Sequence, residues 1–359
     1  MGERLAGGVD PGRLSAYDTV ATSLALLGDR ELREVVDRAT PLGTGIGGSS
    51  ARLDVSGTPV FVKRVPLTDL ELRPEHRHST ANLFGLPMIC QYGIGGPAFG
   101  AWREVAAHTV TTNWVLSGQF QGFPLMYHWR VLPEDEPHRA EELADVEEVV
   151  AYWGGSAGVR RRVEALQRSS ASATLFLEYL PRTLHSWLTT QVQAGADALD
   201  RASALAEKEL AAGTSFMNSR GLLHFDAHFE NILTDGRRLY FADFGLALST
   251  RFDLTRREAR FYDEHSAYDR CYTAGYLVNW LITALYGRDW EVRGELIRAW
   301  AEGRQPRGAP PGVAEILTRN APVAEVMTDF HRTLQGKSRT TPYPRKRLER
   351  RCPSVSRRR

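Results

Sequence analysis

The chain has 359 residues, which exceeds the usual size of one domain and predicts two lobes or domains followed by tails. Hydrophobic residues make up 42% of the chain, so its core can be large. The three cysteines are scattered without metal-ligand spacing, which argues against a disulfide framework. The N-terminus has no apolar signal core, and no apolar run is long enough to span a bilayer. We therefore expect a cytoplasmic protein without a membrane span.

The formal net charge of +2 conceals an uneven distribution. Residues 336–359 contain ten Lys or Arg and one acid, so this segment carries about +9 and the rest of the chain about −7. A basic terminal run that also contains prolines predicts a disordered, solvated tail. Contact of this tail with nucleic acid or another anionic partner is the alternative, and it would be accessory to the main function.

Residues 1–40 predict an N-terminal extension of one or two helices. A glycine-rich stretch follows, in which three residues have the G-x-G-x-x-G spacing: Gly43, Gly45 and Gly48. This motif alone is a weak signal, because dinucleotide-binding folds also use it and begin a helix there. A flexible surface loop is the other alternative.

The residues after the glycines predict strands instead of a helix. Apolar and polar side chains alternate on both sides of a turn at Ser56 and Gly57, which is typical of a β-hairpin. A glycine loop that joins strands can lie over nucleotide phosphates and donate main-chain N–H groups to them. Gly43, Gly45 and Gly48 are therefore candidate nucleotide-binding residues.

A single lysine stands out in the strand that completes this hairpin. The chain has 41 arginines and four lysines, and one of the four, Lys63, lies within the apolar run Pro59–Val65. A compact ammonium group suits phosphate oxygens in a narrow pocket better than a guanidinium fork does. An acidic partner would aim the lysine at the phosphates, and Glu104, on a helix predicted to begin near Ala101, is our candidate. Glu75 is the alternative partner.

The second half of the chain reads as mostly helical. It is reached through the stretch Thr174–Pro181, which reads as a buried strand that leaves into a linker at residues 178–182. A loop at His224–Asn231 then places Asp226 and Asn231 five residues apart.

A second short hairpin follows that loop. Asp235 and Gly236 form a tight-turn pair, and Asp243 comes just past the return strand. We expect this hairpin to bring Asp243 close to Asp226 and Asn231. Phosphoryl transfer from a metal-bound nucleotide needs one carboxylate for the acceptor hydroxyl, and an Asn and a second carboxylate for Mg²⁺. The alternative is that these three residues only cap loops and turns.

Together these motifs resemble the protein-kinase-like superfamily over roughly residues 40–290. The glycine loop, strand lysine, helix glutamate, hinge, His-x-Asp loop and Asp-Phe-Gly sequence occur in the order of that family. The resemblance implies an α+β, two-lobed fold with a β-rich N-lobe at residues 41–180 and a helical C-lobe at residues 181–335.

The resemblance also implies roles for individual residues. Asp226 would be the catalytic base, and Asn231 and Asp243 would be the magnesium ligands. Lys63, paired with Glu104, would orient the phosphates of ATP. The main chain around Glu178 and Leu180 would hold adenine.

Two departures leave the acceptor open. His228 stands two residues after Asp226, where protein kinases have a lysine and where aminoglycoside and choline phosphotransferases have a histidine. The Ala-Pro-Glu sequence that closes a protein-kinase activation segment is absent. We expect an ATP- and Mg²⁺-dependent kinase that acts on protein Ser or Thr. The alternatives are a kinase for small-molecule hydroxyls and a nucleotide-binding pseudokinase scaffold.

Overall fold

The computed structural model describes residues 9–93, 95–137 and 140–351. The chain is an α+β protein. Contacts divide it into two units, the first formed by Met1–Leu180 with Ala242–Glu258 and the second by Pro181–Phe241 with Ala259–Arg359.

The first unit is built around one antiparallel sheet. Its elements in chain order are α1 (Pro11–Ala25), α2 (Asp29–Asp37), β1 (Thr40–Gly45), β2 (Gly48–Val55), β3 (Thr58–Leu67), α3 (Asp69–Leu72), α4 (Ala101–Leu116), β4 (Met126–Pro133), α5 (Val146–Tyr152), α6 (Ala157–Leu166) and β5 (Ala171–Glu178). The strand order is β1-β2-β3-β5-β4. A two-residue strand at Leu248–Ser249 lies in the second segment of this unit.

The centre of this sheet is apolar on the side that meets α4. Val65 on β3 and Leu175 on β5 are buried together with Trp102 and Val105 of α4. Residues 171–177 of β5 are all buried, as expected for a strand covered on both faces. Helix α4 therefore sits directly against β3, the strand that carries Lys63.

The glycine-rich stretch lies in a hairpin of β1 and β2, next to the predicted hairpin, which is formed by β2 and β3. The register of β1 with β2 pairs Gly45 with Gly48, and β2 pairs in turn with β3 around the turn at Ser56 and Gly57. Gly48 has a φ of +124°, and a Cβ atom there would lie 2.0 Å from the carbonyl oxygen of Arg64. Only glycine fits this position without displacing the main chain of β3.

The second unit is mainly helical. Its elements are α7 (Leu184–Ala194), α8 (Ala196–Ser219), β6 (Leu222–Leu223), β7 (Ile232–Thr234), β8 (Leu239–Phe241), α10 (Tyr268–Tyr286), α11 (Trp290–Ala301), α12 (Pro311–Gly336) and α13 (Arg345–Arg351). Helix α9 (Arg256–Glu264) begins in the last residues of the first unit and continues into the second. Helix α12 packs against α8, α10 and α11. Strands β7 and β8 form the hairpin predicted around Asp235 and Gly236.

Two boundaries differ from the sequence predictions. Within the predicted extension, α1 and α2 belong to the first unit, because both contact β4, and their Val20, Leu24, Leu32 and Val36 are buried. Residues 242–258, predicted to belong to the C-lobe, also fall in the first unit. The sequence placed them by chain order, whereas their contacts run to α4 and its neighbours.

The segment 336–359, for which composition predicts a disordered tail, contains one helix within its described part. Arg345–Arg351 form α13, and its Leu348 is 1% exposed. Tyr343, just before the helix, stacks on His265 with ring centroids 4.2 Å apart. One apolar and one aromatic side chain thus anchor a segment whose composition indicated disorder. Residues 352–359 lie outside the described residues.

Among the helices that the structure describes, none is long and apolar enough to cross a membrane.

Candidate functional site

Lys63 lies at the centre of a buried charge cluster in the first unit. Its Nζ is 2.6 Å from Oε1 of Glu104 on α4 and 2.8 Å from Oδ1 of Asp243. Lys63 is 7% exposed and Glu104 is 2% exposed. Burying an ammonium group is costly unless it is paired, so the two carboxylates are what allow a lysine on this strand. Glu75, the alternative partner, lies in an exposed 3-10 turn at Pro74–His76.

The cluster keeps the lysine charged. Burial by itself would lower the pKa of Lys63, but the attraction of Asp243 and Glu104 outweighs burial and raises this pKa above its ordinary value. Burial raises the pKa of the Glu104 carboxyl to about 7, with Lys63 opposing the shift and Asp243 adding to it. A fixed positive charge with its acidic partners is what a phosphate-orienting lysine requires.

Two glycines bring the main chain close to this cluster. A Cβ atom on Gly47, in the turn between β1 and β2, would lie 3.5 Å from Nζ of Lys63. A Cβ atom on Gly245 would lie 3.3 Å from Oδ1 of Asp243 and 3.5 Å from Oε2 of Glu104. The glycine turn is therefore next to the lysine, and Gly43, Gly45 and Gly48 belong to the two strands that hold this turn.

Asp243 is held in an uncommon main-chain conformation. Its φ of +60° lies in the left-handed region, which aspartate tolerates better than most residues do. Its Oδ1 accepts a hydrogen bond of 3.2 Å from the Gly245 amide. The next residue, Phe244, is buried and packs edge-on against His108 of α4, with ring centroids 5.0 Å apart. The Asp243 side chain is nevertheless 41% exposed, so its carboxylate is accessible to a metal ion.

Asp226 and Asn231 are brought together in the second unit, in the loop between β6 and β7. The Asn231 amide nitrogen Nδ2 donates to Oδ2 of Asp226 at 2.9 Å and to the Asp226 carbonyl at 3.0 Å. The main chain closes the loop, since the His228 amide donates to the Asp226 carbonyl. Both side chains are partly exposed. The amide therefore fixes one carboxylate oxygen of Asp226.

Asp269, which none of the sequence motifs includes, binds the main chain of this loop. Its Oδ2 accepts from the His224 amide at 2.6 Å and its Oδ1 accepts from the Phe225 amide at 2.9 Å. Phe225 has a φ of +63°, which is unfavourable for a bulky side chain. Burial raises the pKa of Asp269 to about 6, while the two amide donors oppose that shift. An acid at the start of the apolar helix α10 was the signal in the sequence.

His228 has one ring nitrogen engaged and the other directed towards Asp226. Its Nδ1 lies 3.3 Å from the Glu230 amide nitrogen, which donates to it, so the neutral ring carries its proton on Nε2. That Nε2 is 3.7 Å from Oδ1 of Asp226. The histidine thus contributes a donor on the same side of the loop as the carboxylate.

The predicted hinge residues lie where β5 ends. Glu178 is the last residue of β5, and its main-chain amide donates to the Leu125 carbonyl at 2.8 Å. Its carboxylate is bound by Arg13 of α1, which the sequence analysis had not singled out. Leu180 is partly exposed and ends this part of the first unit.

Asp243 lies in the first unit and Asn231 in the second, so each predicted magnesium ligand is described by itself. Within the described residues, no group of three or more His, Cys, Asp or Glu is arranged to hold a metal ion by itself. Mg²⁺ is commonly bound through one or two protein oxygens, with water and phosphate oxygens as the remaining ligands. The Asn231 amide and the Asp243 carboxylate supply oxygens of the kind that Mg²⁺ prefers. They therefore remain the predicted magnesium ligands.

Comparison with known proteins adds no family to this description. No model of a known protein family matches the chain, and no curated protein matches it significantly. Of the predicted site residues, Lys63, Glu104 and Asp243 meet in the first unit and Asp226 and Asn231 meet in the second.

Proposed function

We propose that this protein is a phosphotransferase that uses ATP and Mg²⁺ to phosphorylate a hydroxyl group, with a two-lobed, protein-kinase-like architecture. The observation that carries the proposal is the buried cluster of Lys63, Glu104 and Asp243 beside a glycine turn. A structural ion pair needs one acid for one base. Here a second, half-exposed carboxylate joins the lysine, which suits a group that also binds a metal.

The first unit supplies the nucleotide-binding residues in this proposal. Lys63 would contact phosphate oxygens, and Glu104 would hold it in place. The β1–β2 hairpin would cover the phosphates, while the main chain of residues 178–180 would bind the adenine. Asp243, together with Asn231 of the second unit, would hold Mg²⁺, which when bound neutralises charge on the phosphate oxygens.

Asp226 would accept the proton of the acceptor hydroxyl. Its Oδ2 accepts the Asn231 amide hydrogen bond, which limits rotation of the carboxylate. The catalytic contribution of the chain would be positioning and charge neutralisation, because phosphoryl transfer requires little covalent chemistry from the protein.

The acceptor in this proposal is a protein Ser or Thr hydroxyl, because the Asp-Phe-Gly sequence, the glycine-rich stretch and the hinge resemble those of protein kinases. A small-molecule hydroxyl is the second candidate. Two observations favour the second candidate. The chain between Asp243 and α9 is short and anchored, with the Asp253 amide donating to Oγ1 of Thr80 at 2.8 Å. His228 also occupies the position at which small-molecule kinases of the resembled superfamily have a histidine.

Transfer of labelled γ-phosphate from ATP·Mg²⁺ tests the function. The wild type is compared with Asp226→Asn and Asp243→Ala, in reactions that contain the protein alone, a generic protein substrate, or a panel of amino sugars and amino alcohols. We expect Asp226→Asn to lower turnover by about 10²–10⁴-fold with nucleotide binding largely retained. Asp243→Ala should abolish turnover by removing a metal ligand.

The distribution of label identifies the acceptor class. Label on protein that depends on Asp226 supports the protein kinase, whereas label only on a small molecule supports the second candidate. ATP binding without transfer to any acceptor supports the pseudokinase. Full activity of Asp243→Ala would show that the site is assigned wrongly.

A further inference from the structure

Every guanidinium nitrogen of Arg13, on helix α1, donates a hydrogen bond. Its Nε and Nη2 donate to the two carboxylate oxygens of Glu178 at 2.9 and 2.6 Å. Nη2 also donates to the Phe123 carbonyl at 2.7 Å, and Nη1 donates to the Gln121 carbonyl at 3.1 Å. The arginine side chain is only 9% exposed. All three guanidinium nitrogens are therefore engaged.

Glu178 is held from its other side by the chain that leads into β4. Its Oε2 accepts from the Leu125 amide at 3.0 Å, and its own amide donates to the Leu125 carbonyl. The end of β5 is thus fixed by main-chain hydrogen bonds, by a forked ion pair and by the chain at Gln121–Leu125. Such a planar, two-point contact is specific to arginine, because lysine offers a single point charge.

Stability alone does not explain this arrangement. A mostly buried ion pair loses hydration, and apolar residues of similar volume are often as stabilising or more so. Helix α1 already has apolar anchors in Val20 and Leu24, which are buried. A desolvated pair with ideal forked geometry instead restricts where the main chain after Glu178 can lie.

We propose that Arg13 is a positioning residue for nucleotide binding, and that α1 thereby sets the affinity of the protein for ATP. This inference rests on the proposed function, in which the main chain of residues 178–180 binds adenine. Recognition of a purine by main-chain groups tolerates displacements of only about 0.5 Å. Loss of the Arg13 fork leaves the Glu178 carboxylate held by the Leu125 amide alone, so the chain that follows β5 is held less tightly.

The test measures ATP affinity and steady-state kinetics of Arg13→Gln and Arg13→Lys in the full chain. We expect Arg13→Gln to raise both the Kd and the KM for ATP about tenfold, with kcat within about twofold of wild type. Arg13→Lys keeps the charge without the fork, so it should give an intermediate KM. Glu178→Gln should resemble Arg13→Gln, because it removes the other half of the pair.

Arg130→Gln is the matched control. Arg130 of β4 pairs with Asp29 of α2 and contacts the Leu27 carbonyl, so it also attaches the N-terminal helices to the sheet, away from Glu178. We expect it to change the melting temperature without changing the KM for ATP. If Arg130→Gln and Arg13→Gln raise the KM equally, or if neither raises it, the inference is overturned.

The two proposals fail in distinguishable ways. If the wild type neither binds ATP·Mg²⁺ nor transfers phosphate, the proposed function is wrong and the inference falls with it. If the wild type binds ATP·Mg²⁺ and Arg13→Gln binds it with equal affinity, only the positioning role of Arg13 is wrong.

Discussion

Asp269 binds main-chain amides in the loop that carries Asp226, although it takes no part in the proposed chemistry. Its two carboxylate oxygens accept from His224 and Phe225, and Phe225 adopts a left-handed conformation. Such a conformation costs about 1–3 kcal/mol and persists only where the surroundings enforce it. The side chain of Phe225 is held in addition by stacking on Phe261 and Tyr268. The placement of Asp226 therefore depends on Asp269.

Replacing Asp269 with Asn tests this dependence. The amide can accept only one of the two N–H groups, so one buried donor is left unsatisfied and the free energy of unfolding falls by about 1–3 kcal/mol. Displacement of Asp226 should lower kcat by about 10- to 100-fold, with the KM for ATP unchanged. Steady-state kinetics and chemical denaturation measure the two effects.

Asp200→Asn provides the control for that variant. Asp200 also accepts two main-chain N–H groups, those of Gly312 and Val313 at the start of α12, within the same unit. We expect a comparable loss of stability with kcat unchanged. Equal losses of kcat in both variants would mean that general destabilisation, and not the position of Asp226, explains the result.

The sequence identifies site residues whose partners are close to them along the chain. It does not identify residues whose partners are far away along the chain. Asp226 and Asn231 are five positions apart in one loop, and their contact follows from that spacing. Lys63 was conspicuous because the chain contains so few lysines. Arg13 and Glu178 are 165 positions apart, and no periodicity or turn signal relates them. Asp269 likewise serves a loop 44 positions earlier in the chain.

At the scale of elements, α4 holds two parts of the first unit through adjacent residues. Glu104 binds Lys63 of β3, while Arg103 binds Glu258, which follows the Asp-Phe-Gly sequence. Nη2 of Arg103 is 2.6 Å from Oε1 of Glu258, and both residues are almost completely buried. Oε2 of Glu258 accepts from the amide and hydroxyl of Thr255 at the start of α9. One helix therefore fixes both the lysine and the segment after Asp243.

Removing the charge of Glu258 should loosen that segment. In Glu258→Gln, Arg103 remains buried without its carboxylate, and breaking a buried pair in this way costs about 3–5 kcal/mol of unfolding free energy. The shift in the denaturation midpoint, converted with the measured m-value, gives the loss.

Glu207→Gln is the control for an exposed pair. Glu207 of α8 pairs with Arg319 of α12, whose side chain is 58% exposed, and we expect a cost of about 0–1 kcal/mol. If Glu258→Gln and Glu207→Gln lost equal amounts of unfolding free energy, the Arg103–Glu258 pair would not be what holds the segment after Asp243.

Elements whose signals are local were predictable, and those defined by tertiary contacts were not. The turns at Ser56–Gly57 and at Asp235–Gly236 place two hairpins where the sequence predicts them. Helix α13 was missed because seven residues, mostly basic, contain one apolar side chain. The burial of Leu348 depends on packing that composition does not encode.

At the scale of the whole molecule, chain order is a poor guide to which unit a segment joins. Residues 242–258 follow the second unit's hairpin in sequence but belong to the first unit by contact. Phe244 is buried beside His108 and Phe123. The Leu246 carbonyl accepts a hydrogen bond from the side-chain Nε2 of Gln91. These contacts bring Asp243 to Lys63. The cluster therefore depends on residues 242–258 rejoining the first unit, which the sequence alone did not reveal.

The stability of the whole protein should depend on pH through buried groups that act in opposite directions. Burial raises the pKa of Asp269 to about 6 and that of Glu104 to about 7, so both favour the folded state more as the pH falls through these values. Burial lowers the pKa of His265 to about 4. Its neutral ring is stacked on Phe261 and Tyr343, and its Nδ1 donates to the Phe261 carbonyl.

His265 should therefore destabilise the fold in acid, which His265→Phe isolates from the opposing groups. Between pH 6.5 and pH 4 the unfolded chain binds a proton that the folded ring does not, so stability is lost as the pH falls through this window. The loss between pH 7.5 and pH 4.5 attributable to this residue is about 2–3 kcal/mol. Phenylalanine keeps the ring stack and cannot titrate. Lowering the pH from 7.5 to 4.5 should therefore reduce the unfolding free energy of the wild type by that amount more than it reduces that of His265→Phe. A difference in unfolding free energy between the two proteins that is the same at both pH values would show that His265 takes up its proton equally well in the folded protein.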